Sequence, residues 1–321
     1  MKFVRNLCLG VIALAALTAL SAVSASAQEI NFGVIATDSA TVERDRWEPL
    51  FRALEKKTGL TVHAFYAPDY AGVVEGMRFN KVQVAWYGNK AAIEAVDRAN
   101  GEVFAQVLKA DGSLGYKSVL ITQKDSPYNN LGDVLKNSKA INFGIGDPGS
   151  TSGFLVPTYY IFALNNVDYR TAFKTIRNAS HGANIQAVLA RQLDVATNNT
   201  EETDKLAETK PELLKELKVI WTSPLIPNDP LVWRKDLDPA VKAKIKGFML
   251  DFGKSDADKA ILKNIYNYSG FKDSSNDQLT PIRQLELFKE RRKVEDDKQY
   301  SAEEKAAKLA EIDKKLNALG K

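Results

Sequence analysis

In the stretch GDPGSTSGFLVP, residues 146–157, three hydroxyl side chains, Ser150, Thr151 and Ser152, follow one another at the start of an apolar run. A helix amino end carries amide hydrogens without intrahelical acceptors and a partial positive charge, so it holds anions, phosphate groups above all. Hydroxyls placed there add donors, and Gly149 and Gly153 let the backbone come close. This pattern suits capture of an oxyanion by dipoles and hydrogen bonds, without a lysine. A plain helix cap is the commonest use of Ser or Thr in such a place, yet three in a row exceed what one cap needs. Pro157 falls inside the helical pattern and predicts a kink.

Catalysis has little to build on. The chain holds 2 histidines, His63 and His181, and a single cysteine, Cys8. The hydroxyl turn has no base arranged beside it in sequence, and a zinc site lacks thiols and a histidine cluster. An enzyme, a metal and a cofactor are therefore not expected. With 44 Lys and Arg against 40 Asp and Glu, a net charge of +4, nothing favours nucleic acid or a membrane surface as partner.

The elements that must position the hydroxyl turn begin after a separate leader. Residues 1–27, MKFVRNLCLGVIALAALTALSAVSASA, combine Lys2 and Arg5, an apolar stretch and a small-residue ending. They read as a secretory signal peptide cleaved after Ala27. A retained anchor is the alternative, but the apolar stretch is shorter than the roughly 18 to 20 residues a spanning helix needs. Cleavage removes Cys8, so the exported chain must be held by its core alone, and at this length a core split over two domains is expected.

Downstream, strand patterns at 29–36, 61–67 and 82–87 alternate with helical ones at 47–58 and 70–79, which predicts a parallel open sheet. The alternation restarts after Ser126-Pro127, with a strand at 140–145, helices at 150–165 and 181–192, and strands at 193–197 and 218–222. The expected organisation is α/β with two lobes: lobe 1 from residues 28–120 and 225–279, lobe 2 from 121–224. Two extended connections, near 119–124 and 223–230, would form a hinge, and the cleft between lobes would enclose a small ligand. Residues 280–321 are rich in Lys, Glu, Ala and Leu with i,i+4 opposite charges, which favours exposed helices; their Leu and Ile offer a homodimer contact.

Five stretches, FYAPDYAGVVEGMRFNKVQVAWYGN, ADGSLGYKSVLI, GDPGSTSGFLVP, VATNNTE and VIWTSPLIPNDPLVWRKDL, together resemble the periplasmic phosphonate-binding proteins of bacterial phosphonate ABC importers. The resemblance runs from about Asn31 through Phe288. It implies a type II periplasmic-binding-protein fold in the periplasm, capture of alkylphosphonates, typically 2-aminoethylphosphonate, and delivery to a membrane permease. It also implies that Ser150, Thr151, Ser152, Tyr116 and His181 hold the phosphonate, while Tyr70, Glu201 and Asp229 surround the amino group. Lys117 stands where an aromatic residue is expected after Tyr116, and Gly182-Ala183 where a more polar pair is expected.

The residues themselves agree with that chemistry: a zwitterion needs donors at one end and carboxylates at the other, and a tyrosine face can meet a cation. Each also has an ordinary use, Glu201 as a helix-start residue, Asp229-Pro230 as a turn, Tyr70 and Tyr116 as packing aromatics, and His181 as the opening of its own helix. Trp86, Tyr87 and Trp233 are expected in the core or the cleft wall. A receptor for phosphate, phosphite or a simple alkylphosphonate, or a phosphonate-acting enzyme, would use the same hydroxyl turn without needing the acids.

Overall fold

The computed structural model describes residues 28–320; the signal-peptide expectation for residues 1–27 lies outside the described residues. Two sheets organise the chain. The first runs Tyr268–Asp273, Gly101–Lys109, Pro230–Arg234, Val84–Trp86, Glu29–Val34, Thr61–Tyr66 in spatial order. The second runs Leu217–Thr222, Ser118–Gln123, Val195–Asn199, Asn142–Ile145, Thr175–Asn178. Each sheet carries its own apolar core, so the molecule is a two-lobed α/β protein.

The βαβαβ start behaves as its pattern predicts, with Glu29–Val34 parallel to both Thr61–Tyr66 and Val84–Trp86. The sheet as a whole is mixed, however. The chain returning from lobe 2 inserts Pro230–Arg234 antiparallel between Val84–Trp86 and Gly101–Lys109, a placement that no local periodicity encodes. Behind this sheet Trp47 is fully buried against Phe32, Phe51 and Trp86 at ring separations of 5.0 to 6.1 Å. Such aromatic pairs contribute about 0.5–1.5 kcal/mol each beyond the area they bury.

The first of the two expected connections is displaced, while the second falls within its expected range. Residues 119–124, read as the first connection, mostly lie inside the second sheet, between Leu217–Thr222 and Val195–Asn199. The chain instead crosses at Gly115–Tyr116 and returns at Ile226–Pro227, which pair antiparallel as a two-strand bridge. A Cβ on Gly115 would come within 1.9 Å of the Ile226 carbonyl oxygen, so the close approach of the two crossings requires glycine there.

The tail is packed down. Thr280–Asp296 buries Ile282 and Leu285 in the lobe 1 core, and Arg283 pairs with Asp97 at 2.7 and 2.5 Å. Farther along the same helix Arg292 donates to Asn166 of lobe 2 at 2.6 Å. The last helix, Ala302–Ala318, lays Ile312 and Leu316 on Val294, so apolar residues that the sequence offers for a dimer contact are used within the chain.

Candidate functional site

Helix amino ends from both lobes converge between the sheets. Asp69 caps Tyr70–Arg78, Gly88 precedes Asn89–Arg98, Ser150 caps the turn at Thr151–Leu155, Ser180 caps His181–Leu189, and Asn199 caps Thr200–Thr209. They meet around one narrow cavity, whose wall includes Tyr70, Tyr116, Ser150, Thr151, Ser152, His181, Glu201 and Asp229. All eight residues singled out in the sequence thus line the same space. No lysine or arginine lines it, so the donors it offers an anion are amides, hydroxyls, an imidazole and helix dipoles.

The hydroxyl turn owes its shape to Pro157. The sequence predicts a helix over 150–165; the backbone instead forms wide π-type turns at Thr151–Leu155 and Thr158–Phe162 and a 3₁₀ turn at Ala163–Asn165. Pro157 has no N–H to offer the Gly153 carbonyl. That oxygen accepts instead from Gly146 N at 2.9 Å and from the Thr197 hydroxyl at 2.7 Å, which ties the turn to the end of the sheet. Ser150 Oγ accepts from Gly153 N at 2.9 Å, the ordinary capping role. Thr151 Oγ1 accepts from Lys90 N of lobe 1 at 2.9 Å, and Ser152 Oγ from Asn199 Nδ2 at 3.2 Å.

His181 stands beside this turn, with Nε2 at 3.3 Å from Ser150 Oγ and 3.5 Å from Ser152 Oγ. Burial pushes its pKa down to about 4, so the imidazole is neutral at neutral pH. A Cβ on Gly153 would come within 2.9 Å of the His181 ring, so glycine is what lets the ring lie against the turn.

Glu201 and Asp229 also stand in the cavity wall and are 6% and 4% exposed. Glu201 receives a hydrogen bond from Lys109 Nζ at 2.9 Å, and the same ammonium donates to the Tyr266 carbonyl at 2.8 Å. Asp229 accepts from the Tyr116 hydroxyl at 3.0 Å. Burial first, and the negative charge of Glu201 next, raise the Asp229 carboxyl well above its ordinary value. A cation arriving at this wall would relieve both.

Tyr116, assigned to the phosphonate end, donates its hydroxyl to Asp229 at 3.0 Å, and Tyr70, assigned to the amino end, lines the same cavity as Ser150 and Asp229. Lys117 is exposed on the surface, with only its backbone joined to Thr200. Trp86 lines the cavity, whereas Trp233 stacks on Phe104 at 4.1 Å in lobe 1.

Sequence reading missed Thr37, Asn199, Glu202 and Tyr266 in the wall, and Lys109 and Arg46 behind it. Only Asn199 and Glu202 carried a signal, as neighbours of Glu201 in the same motif. Among the described residues no group of His, Cys, Asp and Glu is arranged to hold a metal ion, and no helix is long and apolar enough to cross a membrane.

Comparison with known proteins places this geometry in a lineage. A family model described as the periplasmic substrate-binding protein of phosphonate ABC transporters matches residues 32–279. A phosphonates-binding periplasmic protein of Escherichia coli K12 is 54% identical over 304 residues, 94% of this chain and 89% of the relative. A crystal structure of the binding-protein component of an ABC phosphonate transporter from Pseudomonas aeruginosa superposes with a TM-score of 0.89 at 52% identity, covering 92% of this chain and 97% of that one. A phosphate-import protein of Mycolicibacterium smegmatis is 30% identical over 228 residues, 68% of this chain and 70% of the relative.

Proposed function

The chain belongs to the periplasmic phosphonate-binding proteins of ABC transporters, and from that premise we propose that its own ligand is 2-aminoethylphosphonate, gripped end to end in the interlobe cavity. In this reading Ser150, Thr151 and Ser152, with neutral His181 and the converging helix amino ends, receive the phosphonate oxygens. Glu201 and Asp229 receive the ammonium, and Tyr70 and Tyr116 fill the space between. The leader at residues 1–27 directs export and is cleaved, and the loaded, closed protein is what the membrane permease recognises.

One observation carries the choice of ligand. The cavity that holds the hydroxyl turn also holds three buried acids, of which Glu201 and Glu202 have cationic partners in Lys109 and Arg46 whereas Asp229 has only the Tyr116 hydroxyl. Phosphate, phosphite or methylphosphonate would leave Asp229 facing nothing positive but Lys109 behind Glu201, at the cost of a buried, uncompensated carboxylate or a proton taken up. An aminoalkyl phosphonate supplies the missing charge. Isothermal titration of the mature protein with 2-aminoethylphosphonate, methylphosphonate and inorganic phosphate tests this. The expected order of affinity is the aminoalkyl compound first by at least tenfold; equal affinity for methylphosphonate or phosphate would reject it.

A further inference from the structure

At the cavity wall and behind it a second set of charges bridges the lobes, with Glu202 and Tyr266 in the wall and Glu43 and Arg46 behind them. Glu43 and Arg46 project from Ala40–Thr58 and Tyr266 ends Asp256–Tyr266, all in lobe 1; Glu202 lies in the first turn of Thr200–Thr209, in lobe 2. Arg46 Nη1 is 3.3 Å from Glu43 Oε1 and 3.4 Å from Glu202 Oε1. The Tyr266 hydroxyl donates toward Glu202 Oε1 at 2.7 Å and lies 3.2 Å from Glu43 Oε1, with the Thr37 hydroxyl 2.5 Å from both Tyr266 and Glu43. Two carboxyl oxygens from opposite lobes therefore crowd one guanidinium nitrogen and one phenol. The other oxygen, Glu43 Oε2, is buried with no partner at all.

A carboxylate oxygen that is buried and unpartnered is costly, whereas a protonated one is far less so. One guanidinium beside two acids leaves one negative charge unmatched. The other charged groups facing the cluster do not cure this. Asp38, with Oδ2 at 3.8 Å from Arg46, adds a third negative charge. Lys205, on the Thr200–Thr209 helix, bonds the Lys263 carbonyl and lies 3.8 Å from Glu208. Tyr66, Tyr70 and Tyr268 stand nearby as neutral phenols.

We propose that Glu43, Arg46, Tyr266 and Glu202 form a latch that holds the cleft shut, and that it locks with one proton shared by its two acids, so that ligand capture takes up a proton. The latch forms only when lobe 2 brings Glu202 onto the lobe 1 trio; separation of the lobes returns Glu202 to water and relieves the like-charge contact. Burial pushes Glu43 up to about 7 in this closed arrangement, and burial also raises Glu202. The sign follows: a carboxyl whose pKa is raised on closing favours the closed form most below its open-state value, and that contribution is lost as pH rises through about 7.

The proposal rests on the phosphonate-receptor reading, and its test separates the two. The dissociation constant of 2-aminoethylphosphonate is measured by isothermal titration from pH 6 to pH 8 for the wild type, Glu43→Gln and Glu202→Gln. Taking each variant as a ratio to the wild type cancels the ligand's own ionisation. The wild type should lose about tenfold in affinity relative to Glu43→Gln across that range, because a single group titrating near 7 changes its linkage by that much. Glu202→Gln, on the other lobe, should flatten the profile in the same way and serves if one variant fails to fold. Parallel profiles in proteins that all bind would overturn the latch and leave the receptor reading intact. Absence of binding by every protein would overturn both.

Discussion

At the acid wall Glu201 is matched by Lys109, whereas Asp229 has only the Tyr116 hydroxyl. Asp229→Asn should therefore weaken 2-aminoethylphosphonate by about 2 kcal/mol, roughly thirtyfold, and hardly alter methylphosphonate, as read by titration calorimetry. Glu201→Gln should cost the amino compound more, because it also leaves the buried Lys109 ammonium facing the ligand's own. Adding Lys109→Met to that variant should restore part of the loss; no recovery would show that Glu201 acts on the ligand alone. His181 makes a separate prediction about stability. Its depressed pKa means that between about 6.5 and 4 the unfolded chain binds the proton that the folded one refuses, so its contribution to stability falls as pH falls through that window. The melting temperature of His181→Gln should be less sensitive to pH there than that of the wild type. At this scale the hydroxyl turn was legible, because three adjacent donors are unusual in any context. Lys109 and Arg46 were not: a lone basic residue in a strand or helix pattern looks like a solvated face until the opposite lobe brings an acid to it.

Helix starts decide how the walls meet. Gly182, the second residue of His181–Leu189, donates its N–H to the Thr37 carbonyl of the other lobe at 3.1 Å, and a Cβ there would lie 2.4 Å from the Asp38 carboxyl. Glycine at this position thus leaves room for the two lobes to touch. Gly182→Ala should weaken every phosphonate alike, by about 1 kcal/mol or more, while leaving the melting temperature within a degree or two, since the obstruction acts on closure and not on either core. Thr151→Ala should likewise weaken all phosphonates in common, by about 1 kcal/mol, because it removes both a donor at the turn and the acceptor of Lys90 N. Most elements between residues 29 and 222 followed from periodicity and caps, whereas the strands and helices of residues 230–273 were not read from the sequence. The exceptions have causes beyond local pattern: residues 150–165 wind wide because Pro157 withholds a hydrogen bond, and residues 119–124 read as a connection although they fill a central place in a sheet.

Across the whole molecule the lobes are joined by more than the paired crossings. The Thr280–Asp296 helix is anchored on lobe 1 by Ile282, Leu285 and the Arg283–Asp97 pair, and reaches lobe 2 through Arg292 and Asn166. The sequence marked this tail as charged and helical but gave no sign that it spans both halves, since its i,i+4 charge pattern alone favours exposure. Arg292→Ala or Asn166→Ala should shift the balance of open and closed forms and so change affinity for all ligands by the same factor, about two- to fivefold, without altering selectivity. Small-angle scattering at saturating ligand should still report the compact form. The braced carbonyl of Gly153 has a consequence for the order of events. Because the Gly146 amide and the Thr197 hydroxyl grip that turn from within lobe 2, hydrogen exchange should find it equally protected with the cleft empty or filled. In the proposed reading the anionic head berths on a rigid quay that already carries Glu201, and lobe 1 arrives afterwards with Asp229 and Tyr70.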